Sequence, residues 1–393
     1  ECRHAVERGD IAGPRLLVSG RENGMSGLWV HDLARNETRP VEFAEPVHCV
    51  RAGDNREFHT GRATIAYTSF ATSLTHYALD LASGERALLK QETVVGGHDP
   101  SRYVSARVFA EAPDGERVPI SLIYRRDAPA GPRPLLLRGY GAYGYCCDPV
   151  FAKAELSLID SGVTFAIAHI RGGQELGRFW YEDGKLLNKK NTFTDFGACA
   201  EHLIATEYTT AGQMAAQGAS AGGILIGVLA NERPDLFRAL VAEVPFGDVL
   251  RSMLDPSLPL TTAEFVEWGD PRDPVYGDYI RSYSPYDNVA SQRCPSVFVT
   301  AGLEDDQVPY WQPAKWTAKL RAHCGDASRI LLRTNLGAGH MGDSGYYDAQ
   351  RETAFTYAFI LWALGIEAGG GRRKERCFSP ERIGETRAST APR

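Results

Sequence analysis

No run of about 18 apolar residues occurs anywhere in these 393 residues, and a helix needs roughly that length to cross a bilayer, so no membrane span is expected. The first residues, Glu1-Cys2-Arg3-His4, hold no charged-then-apolar segment of the kind that directs secretion. Basic residues are not in excess: 43 Lys and Arg stand against 49 Asp and Glu, and a net charge of −6 argues against nucleic acid as a partner. The eight cysteines, at 2, 49, 146, 147, 199, 294, 324 and 377, show neither Cys-x-x-Cys spacing nor a metal-ligand cluster. They read as scattered reduced thiols of a cytoplasmic protein, and no metal or organic cofactor is expected.

What is present points to a globular enzyme. With 43% hydrophobic and 23% charged residues, the chain has enough apolar matter for one large core and a smaller unit. Gly218-Ala219-Ser220-Ala221-Gly222 follows a short apolar run, Gln213–Gln217, and precedes Ile224, Leu225, Val228 and Leu229 at helical spacing. A G-x-S-x-G on such a strand-to-helix turn presents its serine as a nucleophile, with glycines where strand and helix approach.

Serine needs a base to take its proton. Downstream only His323 and His340 are available. His323 ends a helical stretch, where interaction with the helix dipole accounts for it. His340 sits in the flexible, exposed turn Leu336-Gly337-Ala338-Gly339-His340 behind an apolar strand and is the better base. The third member comes from Ala301-Gly302-Leu303-Glu304-Asp305-Asp306, at the carboxyl end of another strand, where parallel-sheet sites lie. Spacing alone does not separate Asp305 from Asp306. The order Ser, Asp, His is that of an α/β-hydrolase triad. The backbone N–H of Ala221 follows as one oxyanion donor from the geometry of the turn.

Buried strands near 134–139, 163–170, 213–218, 239–245, 296–301 and 329–334 alternate with helical patterns near 194–207, 221–231, 311–324 and 347–364. That alternation predicts an α/β fold with a doubly wound, mostly parallel sheet. The first 95 residues differ. Asp32-Leu-Ala-x-x-Glu37 returns as Asp80-Leu-Ala-x-x-Glu85 among short alternating strands. The offset is close to the roughly 40 to 50 residues of a propeller blade. The expected division is a partial β-propeller of last blades at 1–95, an α/β-hydrolase domain at 96–366, and a basic, disordered tail at 367–393. A chain that starts without Met inside blades reads as a fragment of a longer one.

Several stretches carry a resemblance. Gly218 to Pro271, Arg138-Gly-Tyr-Gly-Ala-Tyr143, Ala168-His-Ile-Arg-Gly-Gly173, Trp180 to Lys190 and Tyr310-Trp-Gln-Pro-Ala-Lys-Trp316 resemble the oligopeptidase B branch of the prolyl oligopeptidase family of serine peptidases. The resemblance covers about residues 95 to 365 and implies Ser220, Asp305 and His340 as the triad. It further implies the Tyr140 hydroxyl as second oxyanion donor and Glu264 as the carboxylate that pairs with Lys or Arg before the cleaved bond. Phe246 is implied as the ring flanking that side chain, and Asp148 as an acid associated with a second basic residue. Val150 and Val266 stand where such members often carry further acids, so the resemblance implies preference for a single basic residue and leaves enhanced cleavage at dibasic sites open. The implied activity is hydrolysis of short peptides after Arg or Lys through an acyl-enzyme, with short basic peptides as partners. Two other readings are an esterase or acylaminoacyl-peptidase-like hydrolase, and a truncated remnant that binds without turnover.

Overall fold

The computed structural model describes residues 4–325 and 328–366, so the tail expected at 367–393 lies outside the described residues. The first two sheets are antiparallel meanders of four strands each. One holds β1 (His4–Ala12), β2 (Arg15–Glu22), β3 (Met25–Asp32) and β4 (Glu37–Pro40); the other holds β5 (Cys49–Ala52), β6 (Arg62–Thr68), β7 (Thr75–Asp80) and β8 (Arg86–Gln91). Alternation along these strands sends Leu17, Leu28 and Val30 of the first sheet into one apolar core with Val50, Ile65 and Leu79 of the second. Burial of that kind is worth roughly 1.5–3 kcal/mol per large aliphatic side chain and holds the two sheets together.

The repeated Asp-Leu-Ala is the turn between the third and fourth strand of each sheet. Asp32 Oδ1 accepts the N–H groups of Ala34 and Arg35, both at 3.1 Å, and Asp80 Oδ1 accepts those of Ala82 and Ser83, both at 2.9 Å. The left-handed position of each turn falls at the same place in the repeat, Asn36 (φ 55°) in one and Gly84 (φ 81°) in the other. These sheets form a partial, propeller-like N-terminal unit.

The third sheet has eight strands: β9 (Tyr103–Glu111), β10 (Arg117–Arg125), β11 (Leu135–Arg138), β12 (Thr164–Ala168), β13 (Met214–Ala219), β14 (Ala239–Glu243), β15 (Ser296–Gly302) and β16 (Ile330–Asn335). Their order is β16-β15-β14-β13-β11-β12-β10-β9, parallel from β16 to β12 and antiparallel for the β9–β10 hairpin at the edge. Helices Lys190–Ala205, Gly222–Glu232 and Trp311–His323 pack on one face. Lys153–Asp160 and Tyr346–Ala363 pack on the other. This is the α/β-hydrolase architecture, and every expected strand and helix of the catalytic segment is present. The β9–β10 hairpin and several helices of four to eight residues were not expected.

One expectation is overturned. Cys294, just before β15, and Cys324, just after the helix Trp311–His323, are joined by a disulfide, so the cysteines are not all free thiols. Thirty residues separate the two, and only the return of the helix beside the strand brings their Cα atoms to 5.5 Å. Cys49, Cys146, Cys147 and Cys199 are free.

Candidate active site

Strand β13 passes into the helix Gly222–Glu232 through Ser220, whose φ of 55° is unusual for a residue with a side chain. Neighbouring backbone holds that conformation: Ser220 N donates to Glu243 O at 2.8 Å, and Ser220 O accepts from Gly223 N at 2.8 Å and Phe246 N at 3.0 Å. A Cβ at Gly218 would lie 2.3 Å from Gly222 O, so only glycine permits the strand and helix to meet this closely.

The three residues nominated as a triad come together. His340 Nε2 lies 2.9 Å from Ser220 Oγ, and His340 Nδ1 lies 2.8 Å from Asp305 Oδ2. The other oxygen of Asp305 accepts Gln307 N at 2.9 Å and Val308 N at 2.8 Å, which fixes the carboxylate. With Nδ1–H donated to Asp305, the Nε2 lone pair faces the serine hydroxyl. Asp306, the other sequence option, is exposed. His340 lies on a surface turn, but its imidazole is only 7% exposed, so the exposed loop expected from sequence carries an enclosed side chain. The turn closes over the end of β15 because residue 302 is glycine: a Cβ there would sit 2.5 Å from Ala338 O. Asn335 Nδ2 anchors the same turn, donating to Asp343 and Glu352 at 2.7 Å each. His323 remains apart, its Nδ1 2.9 Å from Lys319 O within its own helix.

A cavity of about 240 Å³ opens beside Ser220, lined among others by Tyr140, Tyr143, Ala221, Phe246 and Glu264. Burial, then the nearby Cys147 and Glu264, push the Tyr140 phenol above its ordinary range, so it stays a donor at neutral pH. Ala221 caps the N-terminus of the helix Gly222–Glu232, where the helix dipole favours negative charge. The cavity thus offers a nucleophile, hydrogen-bonded to His340 beside it, and two groups able to donate hydrogen bonds.

Glu264 precedes the one-turn helix Phe265–Trp268. Its Oε2 accepts Trp268 Nε1–H at 2.6 Å, and its carboxylate also takes a hydrogen bond from the Tyr143 hydroxyl. Burial raises its pKa, the two hydrogen bonds oppose that rise, and no cation acts on it among the described residues. Phe246 is buried, with its ring centre 5.8 Å from that of Trp268. Asp148 differs. Arg21 of β2 holds it with two bonds, Nη1 to Oδ1 at 2.7 Å and Nη2 to Oδ2 at 3.0 Å, and Arg51 of β5 adds a third at 3.2 Å. Burial works against the Asp148 charge, but the two arginines outweigh it and hold the carboxyl below its usual range. Asp148 therefore joins the propeller-like sheets to the loop that follows β11. Val266 and Val150 are both exposed, Val266 strongly so.

Sequence reasoning gave no role to Tyr143, Trp268, Glu267 or Lys189. Glu267 is buried and accepts Tyr143 N–H at 3.0 Å and Tyr181 O–H at 2.6 Å, which supports the wall of the cavity. All four lie inside stretches that carried the resemblance, but Tyr143 meets Glu267 124 residues away, and Lys189 meets Gly141 and Trp268 48 and 79 residues away, contacts that no local spacing reveals.

Comparison with known proteins bears on the family and the fold. Residues 149–367 match the prolyl oligopeptidase family, and residues 3–92 match the prolyl oligopeptidase N-terminal beta-propeller domain. "Protease 2" of Moraxella lacunata is 45% identical over 356 residues, covering 90% of this chain and 51% of that protein. "Dipeptidyl aminopeptidase BI" of Pseudoxanthomonas mexicana is 44% identical over 352 residues, covering 89% and 48%. The structure of oligopeptidase B from Leishmania major superposes with a TM-score of 0.85 at 41% identity, covering 92% of this chain and 52% of that one. The chain thus spans about half the length of these relatives. With one family match running over more than half of its residues and a second covering the sheets before it, the chain belongs to the prolyl oligopeptidase family.

Proposed function

We propose that this chain is a serine peptidase that hydrolyses short peptides on the carboxyl side of Arg or Lys. Ser220 Oγ attacks the scissile carbonyl carbon while His340 Nε2 takes its proton, and Asp305 orients and stabilises the imidazolium. The developing oxyanion meets the Tyr140 hydroxyl and the Ala221 N–H. His340 then returns the proton to the leaving amine, and water, activated by the same base, releases the acyl group from Ser220.

The choice of a basic side chain rests on one observation: Glu264 faces the Ser220 cavity, and among the described residues its hydrogen-bond partners are neutral donors. A half-buried carboxylate in that setting gains most from a cation, which a guanidinium supplies with two parallel bonds. Phe246 offers a ring against the same side chain. Asp148 is engaged by Arg21 and Arg51, so a second basic residue would have to displace an arginine to reach it. Short peptides with a single basic residue are therefore the proposed partners. The cytoplasmic expectation loses its thiol argument to the Cys294–Cys324 bridge; no helix among the described residues is long and apolar enough to cross a membrane.

The test is a pair of chromogenic substrates, one arginyl and one acetyl-alanyl, with active sites counted by an irreversible serine-directed phosphonate. The arginyl substrate should lead in kcat/KM by roughly two decades or more. Preference for the acetyl-alanyl substrate would favour an acylaminoacyl-peptidase-like hydrolase, and absence of labelling would favour a remnant without turnover.

A further inference from the structure

Behind the cavity, and outside every role assigned above, lies a buried lysine. Lys189 is 1% exposed and sits in the turn that leads into the helix Lys190–Ala205. Its ammonium donates to Gly141 O and, at 3.2 Å, to Gly184 O, and stands 5.1 Å from the centre of the Trp268 ring. Among the described residues Glu267 is the charge that acts on it, through space rather than by contact. A buried ammonium held by carbonyls and a ring is a costly arrangement unless its surroundings are built around it.

Those surroundings are the two walls of the cavity. Gly141 directly follows Tyr140, so the carbonyl that Lys189 holds fixes the chain at the oxyanion side. Trp268 presents its face to Lys189, its N–H to Glu264 at 2.6 Å, and its flanks to Tyr143 and Phe246, at 5.7 and 5.8 Å between ring centres. The same ammonium therefore touches the loop that carries Tyr140 and the ring that orients Glu264. Thr192 Oγ1 reaches the carbonyls of Gly141 and Gly184 only at 3.4 and 3.3 Å and cannot replace the charge at Trp268.

We propose that Lys189 is a positioning residue that locks the Tyr140 wall of the cavity to the Glu264 wall, so that oxyanion stabilisation and recognition of a basic side chain depend on one buried cation. The proposal rests on the roles given above to Ser220, Tyr140 and Glu264. Without the ammonium, Gly141 O loses its strongest donor and the Tyr140 hydroxyl shifts. Trp268 is then free to turn its N–H away from Glu264.

The test is Lys189→Met, with rates expressed per phosphonate-titrated site so that loss of folded enzyme does not enter. We expect kcat to fall by about tenfold on both arginyl and neutral substrates, and the arginyl-to-neutral ratio of kcat/KM to fall by about tenfold as well. Combined with Tyr140→Phe, the kcat losses should be less than multiplicative; combined with Glu264→Gln, the ratio losses should be. Lys189→Arg should recover part of both. Lys189→Gln, which keeps a donor for the carbonyls without the charge, should lose the ratio more than kcat and serves where the methionine variant does not fold. Fully multiplicative effects in both cycles, or a loss confined to the titrated fraction, would overturn the proposal and leave Lys189 a packing residue. If Tyr140→Phe and Glu264→Gln are each silent in the parent enzyme, the underlying reading of the cavity fails, and the proposal falls with it.

Discussion

Glu264 and Asp148 are both acids nominated for a basic substrate, and the structure gives them opposite surroundings. Glu264 accepts hydrogen bonds from an indole and a phenol, both neutral, and opens onto the Ser220 cavity. Asp148 is clamped by Arg21 and Arg51 from the propeller-like sheets, and Glu7 in turn holds Arg21 Nε at 2.8 Å. The carboxylates are chemically alike, yet the first can receive a substrate cation and the second already has two. What sets the two acids apart is the charge of their protein partners, of which Tyr143, Arg21 and Arg51 come from distant parts of the chain.

Removing Ser220, the proposed nucleophile, gives the largest expected effect. Ser220→Ala or His340→Ala should each lower kcat by about 10⁶-fold, with the double variant no worse, because nucleophile and base act as a unit. Substantial rate in either single variant, measured with an arginyl substrate, would detach Glu264 from the chemistry.

A smaller effect comes from acid. Burial raises the Glu264 carboxyl above its ordinary value, so it takes up a proton as pH falls while ordinary surface carboxylates are still charged. The arginyl-to-neutral ratio of kcat/KM should then decline with acid, starting above the usual carboxylate range, and the ratio cancels the demand of both substrates for a neutral base. A ratio flat down to the ordinary glutamate range would place the recognising charge elsewhere.

At Asp148 the expected effect is on stability rather than rate. Asp148→Asn leaves the nearly buried Arg21 short of its main partner and should cost on the order of 3 kcal/mol, read as a lower thermal midpoint. Peptides with a single Arg should be cut at close to the parent kcat/KM. Because the folded carboxyl lies below its unfolded value, this contribution is present above the unfolded carboxylate pKa and is lost as pH falls through the folded one. A selective loss on Arg-Arg peptides with unchanged stability would instead make Asp148 a substrate subsite.

The same contrast marks how far the sequence could be read. The elbow at Ser220 and the Asp32 and Asp80 turns were legible because their requirements are local: a glycine where strand meets helix, and a carboxylate two or three residues before the N–H groups it accepts. The six parallel strands were legible from short apolar runs. The β9–β10 hairpin was missed: β9 is mostly half-buried, and β10 is an unbroken buried run from Val118 to Ile123, so neither shows clean alternation. Helices such as Phe265–Trp268 are too short to show a period. The Cys294–Cys324 bridge, the arginines on Asp148 and the ammonium at Lys189 arise from tertiary approach, which no spacing encodes.

The most direct measurement is the arginyl-to-neutral ratio of kcat/KM in Glu264→Gln, which keeps the shape of the side chain and removes its charge. Cleavage after Arg should fall by roughly two to three decades, while cleavage after neutral residues changes little, in line with loss of one member of a desolvated charge pair. Equal losses on the two substrates would contradict the account and remove Glu264 from the recognition of basic side chains.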